Sequence, residues 1–203
     1  LLLSNTREEW CMVDFGVLGA GGVTVPVYPT ATSEQIATIL ENCGARRAFV
    51  EGPSQLAQFA GSGDALATLE DVVVFEPGSP IEPITRPHGP PLVVRRWLEA
   101  LRDANALARN AEAAARFEQR RAEVGPTDAA TIVYTSGTTG VPRGAVLTHG
   151  ALLSQVDALL EAVPVRADDE PLMILPLAPI LARVGPFASV AGGARTAFAD
   201  GMH

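Results

Sequence analysis

Short apolar segments alternate with helix-like segments along this chain, and the alternation limits the folds that it can adopt. The strand candidates cover residues 23–28, 48–50, 72–75, 129–135, 145–147, 172–175 and 195–199. Apolar residues at helical spacing lie between most of them. Strands that alternate with helices are typical of parallel sheets covered by helices. We therefore predict an α/β fold made of layered sheets with flanking helices.

Capping signals indicate where several of the helices begin and end. Thr6 and Glu9 have the spacing of a capping box at the start of the first helix. Ser33 is placed to cap the second helix, and Gly44 is placed to end it. Thr148 is placed to cap the helix that follows the 145–147 strand. The sequence thus predicts three helices with defined starts.

A change in composition divides the chain into two parts. Residues 76–91 contain six prolines and predict a loop, and an Ala/Arg/Glu-rich stretch then predicts one long helix over residues 92–123. Gly125 and Pro126 end that helix. We expect residues 1–125 to form a first α/β subdomain segment. Residues 126–203 would then hold a glycine-rich hairpin and the start of a second α/β subdomain.

The charge and cysteine content exclude several functions. The net charge is −8 and the sequence has no basic stripe, so we do not expect this chain to bind the phosphate backbone of nucleic acid. All 15 basic residues are Arg, so no lysine amine can act as a nucleophile or form a Schiff base. Cys11 and Cys43 lack the spacing of metal ligands and are interpreted as core residues. No apolar run approaches the roughly 18 residues that span a bilayer.

The segment Tyr134–Gly144, YTSGTTGVPRG, has the composition of an anion-binding loop. Its glycines let the backbone turn tightly, and inward-pointing N–H groups and hydroxyls suit phosphate oxygens. Arg143 adds a permanent charge whose forked donors match phosphate geometry. An exposed hairpin turn rich in Ser, Thr and Gly is the alternative that the composition leaves open. A P-loop is excluded because no Gly-Lys pair follows Gly140.

Over a longer stretch, YTSGTTGVPRGAVLTH resembles the phosphate-binding signature of the adenylate-forming enzymes, which include acyl-CoA synthetases, luciferases and peptide-synthetase adenylation domains. The flanking segments EEWCMVDFGVLGAGGVTVPVYPTATSEQIATILENCGA and DDEPLMILPLAPILARV resemble the long-chain fatty-acyl-CoA ligase branch. The resemblance covers nearly the whole chain and is weakest over residues 76–125. It implies an incomplete large N-terminal domain of a longer enzyme.

This resemblance implies a two-step reaction of a fatty acid with ATP and then with CoA, assisted by Mg²⁺ bound by residues outside this segment. The positions that match phosphate-contacting residues of the family are Thr135, Ser136, Gly137, Thr138, Thr139, Gly140 and Arg143. The family usually has Lys where this chain has Arg143. The long-chain branch typically has His where this chain has Pro179, and an acidic residue is common at the position of Ala182. Intact and impaired chemistry in the full-length protein are the two alternatives that these departures leave open.

Several family motifs have no counterpart in these 203 residues, namely the adenine-side motif with its metal-binding Glu, the ribose-binding Asp and the lid Lys. We therefore expect an internal piece of a longer polypeptide that forms no acyl-adenylate by itself. One alternative is a truncated or decayed chain that acts only as a binding module. Another is a fatty-acyl-AMP ligase that serves a carrier protein. The resemblance implies a cytoplasmic parent protein, with peripheral association at the inner face of the membrane through its lipid substrate as the alternative.

Three other polar features of the sequence could contribute to a functional site. His149 is interpreted as a polar residue at a helix start, with a substrate or phosphate contact as the alternative. Tyr134 is interpreted as a core residue, although it adjoins the glycine-rich loop. The pair Asp168–Asp169 is interpreted as a solvated turn rather than a metal site.

Overall fold

Helices and strands alternate through the chain in the computed structural model, which describes residues 1–78, 81–136 and 142–199, without the side chain of Ser136. The helices of this described part are α1 (Glu8–Gly19), α2 (Ser33–Cys43), α3 (Pro53–Ala60), α4 (Trp97–Ala108), α5 (Ala111–Glu123), α6 (His149–Ala162) and α7 (Ile180–Gly192), with a 3₁₀ helix at Gly63–Thr68. Its strands are β1 (Leu2–Leu3), β2 (Pro26–Val27), β3 (Arg47–Val50), β4 (Asp71–Val74), β5 (Val93–Arg96), β6 (Ala129–Ser136), β7 (Pro142–Thr148), β8 (Leu172–Met173) and β9 (Ala197–Phe198).

Five of these strands form a parallel sheet in the order β2-β1-β3-β4-β5. The parallel α/β architecture that the alternation predicts is confirmed. Pro26 lies in β2, which is an edge strand, in agreement with the missing N–H donor of proline. The sequence does not predict β1, because two apolar residues are too short a run to identify a strand.

Alternate residues of the sheet enter two separate hydrophobic cores. On one face, Leu3, Val50 and Val72 pack with Ile36 and Leu40 of α2. The opposite face of the sheet packs against α1 through the residues Leu2, Phe49, Phe75, Trp10 and Val13. Helices therefore cover both faces, as a buried parallel sheet requires.

The remaining strands lie in two small sheets. Strands β6 and β7 pair antiparallel, so the predicted hairpin is confirmed, and Thr24 forms an isolated bridge that joins Thr131 of β6 to the region before β2. Strands β8 and β9 pair parallel over two residues each. Helix α6 packs on α7 through Val156, Val184 and Ala188.

Two of the predicted helix caps are wrong. Helix α1 begins after Arg7 without a side-chain cap, and the Thr6 hydroxyl donates instead to the carbonyl of Leu175, 2.7 Å away. Helix α2 is capped by Thr32, one residue before the predicted Ser33. The Thr32 hydroxyl accepts from the Gln35 N–H at 3.3 Å, and the Gln35 side chain accepts from the Thr32 N–H at 3.0 Å. This reciprocal capping box explains the shift.

Other predicted helix ends are confirmed. Gly44 ends α2 with a φ of +61°, a left-handed conformation in which a Cβ would be strained. Thr148 caps α6, and its hydroxyl accepts from the Ala151 N–H at 3.2 Å.

The single long helix predicted over residues 92–123 is wrong. Its first residues form β5, which pairs parallel with β4, because the β-branched pair at Val93 and Val94 suits a sheet. The rest divides into α4 and α5 at Asn110, whose side chain accepts from the Ala113 N–H at 3.0 Å. Asparagine at this position starts a new helix by capping it.

Among the helices that the structure describes, none is both long enough and apolar enough to cross a membrane.

Candidate functional site

The β6–β7 hairpin brings the two ends of the glycine-rich loop together. Thr135 lies opposite Arg143, and Ser136 lies opposite Pro142. Thr135 and Arg143 are both exposed to solvent. The other predicted phosphate-contacting residues, Gly137, Thr138, Thr139 and Gly140, lie outside the described residues.

Close packing across the hairpin fixes the base of this loop. Gly144 lies opposite Tyr134, and a Cβ at Gly144 would be 2.7 Å from Cγ2 of Ile132 and 3.0 Å from Cζ of Tyr134. Any side chain at position 144 would therefore collide with Ile132 and crowd the Tyr134 ring. Glycine is required here by the close approach of these side chains rather than by an unusual backbone angle.

Tyr134 connects the hairpin to the first sheet. Its ring belongs to the core that includes α2, as the sequence interpretation expected, and its hydroxyl donates to Oδ1 of Asn42 near the end of α2. Burial, together with the nearby Cys43, raises the pKa of Tyr134 above its ordinary value. The phenol therefore stays neutral and remains a hydrogen-bond donor in the physiological pH range.

A cavity of about 550 Å³ opens beside Thr135 and Pro142, which flank the loop. Residues from five elements or their adjoining turns line it, among them Tyr28, Gln35, Tyr134, Thr135, Pro142 and Pro179. The structure thus brings Thr135 and Pro142, at the two ends of the loop, next to Pro179 at the start of α7. Four of these six side chains, those of Tyr28, Gln35, Tyr134 and Thr135, carry polar groups that can orient a ligand.

A larger cavity, of about 810 Å³, lies at the carboxyl ends of the parallel strands. Strand β1 lies between β2 and β3, so the direction of chain progression reverses there, and such a switch point is a common ligand position in open α/β sheets. The sequence reasoning missed this cavity. The signal that could have located it is the polar residues that directly follow the strands, Ser4 and Asn5 after β1 and Glu51 after β3.

Four of the polar side chains of this larger cavity form two pairs. The backbone N–H and Nδ2 of Asn5 both donate to Oε2 of Glu51, at 2.7 and 2.9 Å. Arg7 donates to both carboxylate oxygens of Glu9, at 2.6 and 2.9 Å. Burial is the largest single influence and would by itself raise the pKa of Glu9, but the hydrogen bond from Arg7, a backbone hydrogen bond and the charge of Arg7 together lower the pKa. Glu9 is therefore a paired carboxylate and does not act as an acid near neutral pH.

Two of the other candidate polar residues, His149 and Asp169, lie away from both cavities. His149 is the first residue of α6, and its backbone N–H donates to the carbonyl of Asp128 at 3.0 Å. Asp169 closes an exposed turn by accepting from the Arg166 N–H at 2.7 Å. Among the residues whose placement is described, no group of three or more His, Cys, Asp or Glu side chains could hold a metal ion.

Comparison with known proteins identifies the family of this chain. The model of the family described as "AMP-binding enzyme" matches residues 1–203. The chain is 33% identical over 185 residues to the long-chain-fatty-acid–CoA ligase FadD15 of Mycobacterium tuberculosis, an alignment that covers 90% of this chain and 28% of that protein. It is 29% identical over 205 residues to long-chain-fatty-acid–CoA ligase 1 of Homo sapiens, with 98% of this chain and 28% of that protein covered.

Solved structures show the same fold. A long-chain-fatty-acid CoA ligase structure from Rhodopseudomonas palustris superposes with a TM-score of 0.69 at 18% sequence identity. The superposition covers 100% of this chain and 44% of that chain. This chain therefore has the fold of an N-terminal part of such proteins and spans less than half of their length.

Proposed function

Because the chain belongs to the family of AMP-binding enzymes, we propose that it is part of an ATP-dependent long-chain fatty acid–CoA ligase and supplies the phosphate-binding side of the nucleotide site. The observation that carries the proposal is the shared cavity beside the hairpin, where Thr135 and Pro142 meet Pro179. Arg143 lies opposite Thr135 on the paired strand, so its charge is available at the same end of the hairpin. An exposed turn of Ser, Thr and Gly without a function would need no such cavity.

In the proposed first step, a carboxylate oxygen of the fatty acid attacks the α-phosphorus of ATP, and the bond to the bridging oxygen breaks to release pyrophosphate. The loop would hold the β- and γ-phosphates through its backbone N–H groups and hydroxyls. The proposed contacts are Thr135, Ser136, Gly137, Thr138, Thr139 and Gly140. Arg143 would stabilise the negative charge that grows on the leaving pyrophosphate. Orientation of the leaving group and charge stabilisation are thus the tasks of this segment.

In the proposed second step, the CoA thiol attacks the acyl carbonyl and AMP leaves, which gives the thioester. A carrier-protein thiol in place of CoA is an alternative acceptor, and the residues that choose between them lie outside this segment. Mg²⁺ would assist the first step by neutralising phosphate charge. Within the described part of the chain no cluster of carboxylates fits that ion, so we assign it no ligand here.

Substitution of Arg143 tests the proposal in the longer polypeptide that contains these residues. We expect Arg143→Gln to weaken ATP binding about tenfold, because a charge-assisted contact worth about 1.4 kcal/mol is lost. Arg143→Lys should retain most of the affinity, since it keeps the charge. Arg120→Gln is the matched control, because Arg120 is equally exposed but lies on α5 and not on the β6–β7 hairpin. Equal ATP affinity in all four proteins would exclude the proposed phosphate contact.

Pro179 and Ala182 are the residues that favour the alternative of a non-catalytic binding module. Proline has neither a titratable group nor a backbone donor. We expect Pro179→His to raise the rate of fatty-acid-dependent ATP–pyrophosphate exchange in the longer polypeptide. If both the wild type and the variant show no exchange while the protein is folded, the binding-module alternative is favoured.

The 203-residue chain by itself should give no exchange signal, because the adenine-side, ribose-side and lid motifs of the family are absent from it. A fatty-acid-dependent signal from this chain alone would contradict that expectation.

A further inference from the structure

A buried ion pair joins α1 to α7. Arg183 is 1% exposed and Asp14 is 2% exposed. Nε of Arg183 donates to Oδ2 of Asp14 at 2.6 Å, and the second terminal nitrogen donates to Oδ1. This two-pronged pairing fixes both the position and the orientation of the guanidinium plane.

The remaining terminal nitrogen of Arg183 extends the network to the hairpin. It donates to the Thr131 hydroxyl at 2.7 Å, and that hydroxyl donates to the carbonyl of Thr24 at 2.6 Å. The rings of Trp10 and Phe187 lie 5.5 and 5.8 Å from the guanidinium carbon. One buried side chain therefore holds α1, α7, β6 and the segment before β2 in a fixed arrangement.

Stability alone does not explain this network. Removing two charges from water is costly, and well-packed apolar residues of similar volume are often as stabilising as a buried ion pair. What apolar packing cannot supply is direction, because only hydrogen bonds specify where each partner atom lies. The network is thus better suited to setting geometry than to increasing stability.

Arg183 and Thr131, which this network joins, each lie four residues from a residue that lines the proposed site. Arg183 comes four residues after Pro179, about one turn into α7. Thr131 comes four residues before Thr135, about 13 Å along β6. Pro179 and Thr135 line the same cavity. The link between Arg183 and Thr131 therefore connects α7 and β6, two of the elements that line that cavity.

We propose that Asp14, Arg183 and Thr131 are positioning residues that set the start of α7 against the strand carrying the phosphate-binding loop. The proposal rests on the proposed ligase function for its consequence at the nucleotide site. None of the three residues lines the cavity, so they act through Pro179 and Thr135 rather than on the substrate.

The test compares Thr131→Val with Thr131→Ser in the longer polypeptide. Valine keeps the branched shape but removes the hydroxyl, whereas serine keeps the hydroxyl. We expect Thr131→Val to raise the KM for ATP about tenfold, as loss of a hydrogen bond to a charged group allows. Thr131→Ser should have the wild-type KM for ATP. A mere loss of folded enzyme would lower kcat and leave the KM unchanged.

Amide hydrogen exchange gives a second readout that needs no activity. In Thr131→Val we expect faster exchange in residues 129–136 and 180–184, with unchanged exchange in β3 and β4. If Thr131→Val does not fold, Asp14→Leu combined with Arg183→Met removes the network while keeping apolar packing. That double variant should have a urea midpoint close to that of the wild type and show the same rise in KM and the same faster exchange.

A wild-type KM for ATP in folded Thr131→Val or in the folded double variant would overturn the proposal, and so would unchanged exchange at 129–136 and 180–184. If the wild-type polypeptide shows no ATP-dependent activity, the proposed function fails. The exchange result then decides separately whether the network positions α7 against β6.

Discussion

Asp14 and Arg183 compensate each other inside the protein, so removal of one charge leaves the other buried and unpaired. We expect Asp14→Asn to lower the free energy of unfolding by about 3 kcal/mol or more, because an uncompensated buried charge is strongly destabilising. Urea denaturation followed by circular dichroism measures this effect. The double variant Asp14→Leu with Arg183→Met should recover most of the loss, since both charges are then absent. A single variant as stable as the wild type would mean that the pair is not desolvated.

Cys11 makes the free energy of unfolding depend on pH in the alkaline range. Burial, with a smaller contribution from Asp14, raises the pKa of this thiol to about 12, whereas an unfolded chain has an ordinary cysteine pKa of about 8.5. Above the lower of these values the unfolded chain releases the proton and the folded chain keeps it. Stability is therefore lost as the pH rises, by up to about 1.4 kcal/mol per pH unit from this group.

The matched variant for this pH dependence is Cys11→Ala. We expect its urea midpoint to fall less steeply than that of the wild type between about pH 8.5 and about pH 10.5. The comparison uses slopes, so the loss of packing in the variant does not affect the conclusion. Parallel pH profiles would show that the thiol does not carry the effect.

The residues of the buried network also show a limit of sequence reasoning. Asp14 and Arg183 are 169 positions apart, and no local pattern pairs them. Asp14 lies within the apolar face of α1, and Arg183 lies within an apolar run of the sequence. Both positions are unusual for a charged residue, and this was the signal that could have pointed to a buried pair. By contrast, the ending of α2 at Gly44 was predictable, because the conformation of a helix end depends on its own neighbouring residues.

At the scale of the elements, Asn110 separates α4 from α5. We expect Asn110→Ala to lower the free energy of unfolding by about 1 kcal/mol, because the Ala113 N–H loses its cap. Asn110→Asp is the control, since a carboxylate caps as well as an amide. Urea denaturation of the three proteins measures the difference. If Asn110→Ala is at least as stable as the wild type and gains helical circular dichroism, the break between the helices does not depend on this cap.

Elements with strong local signals could be predicted from the sequence, and elements that depend on distant partners could not. The β6–β7 hairpin follows from two apolar runs joined by a glycine-rich segment, and the structure confirms it. Strand β5 was hidden because its residues VVRR lead into a helix without a glycine or proline between them. It is a strand because β4 offers it a parallel partner. The proximity of Pro179 to Thr135 was not predicted, since 44 positions separate them and no local pattern joins them.

At the scale of the whole molecule, the hairpin and the first sheet share one core. Tyr134 of β6 is buried among residues of α2, β3 and β4, and Ile132 packs against the same cluster. Backbone hydrogen bonds from Thr24 to Ala130 and from Ile132 to Thr24 connect the two sheets, at 3.0 and 3.1 Å. Units that share buried side chains and backbone hydrogen bonds are expected to open together. The subdomain boundary near residue 125 stays a sequence-based prediction, and cooperativity is the property that tests it.

Native-state hydrogen exchange at low denaturant concentration distinguishes one cooperative unit from two. We expect the amides of β6 and β7 to open with the same free energy as those of β3 and β4, because the opening of the hairpin exposes the core of the first sheet. The amides of β8 and β9 should open at lower free energy, since each strand contributes two paired residues and Leu172 is exposed. Tyr134→Leu should lower the protection of α2 together with that of the hairpin, because Asn42 then loses its phenol donor. If the hairpin opens well below the first sheet and α2 is unaffected by Tyr134→Leu, the two parts are separate folding units that meet near residue 125.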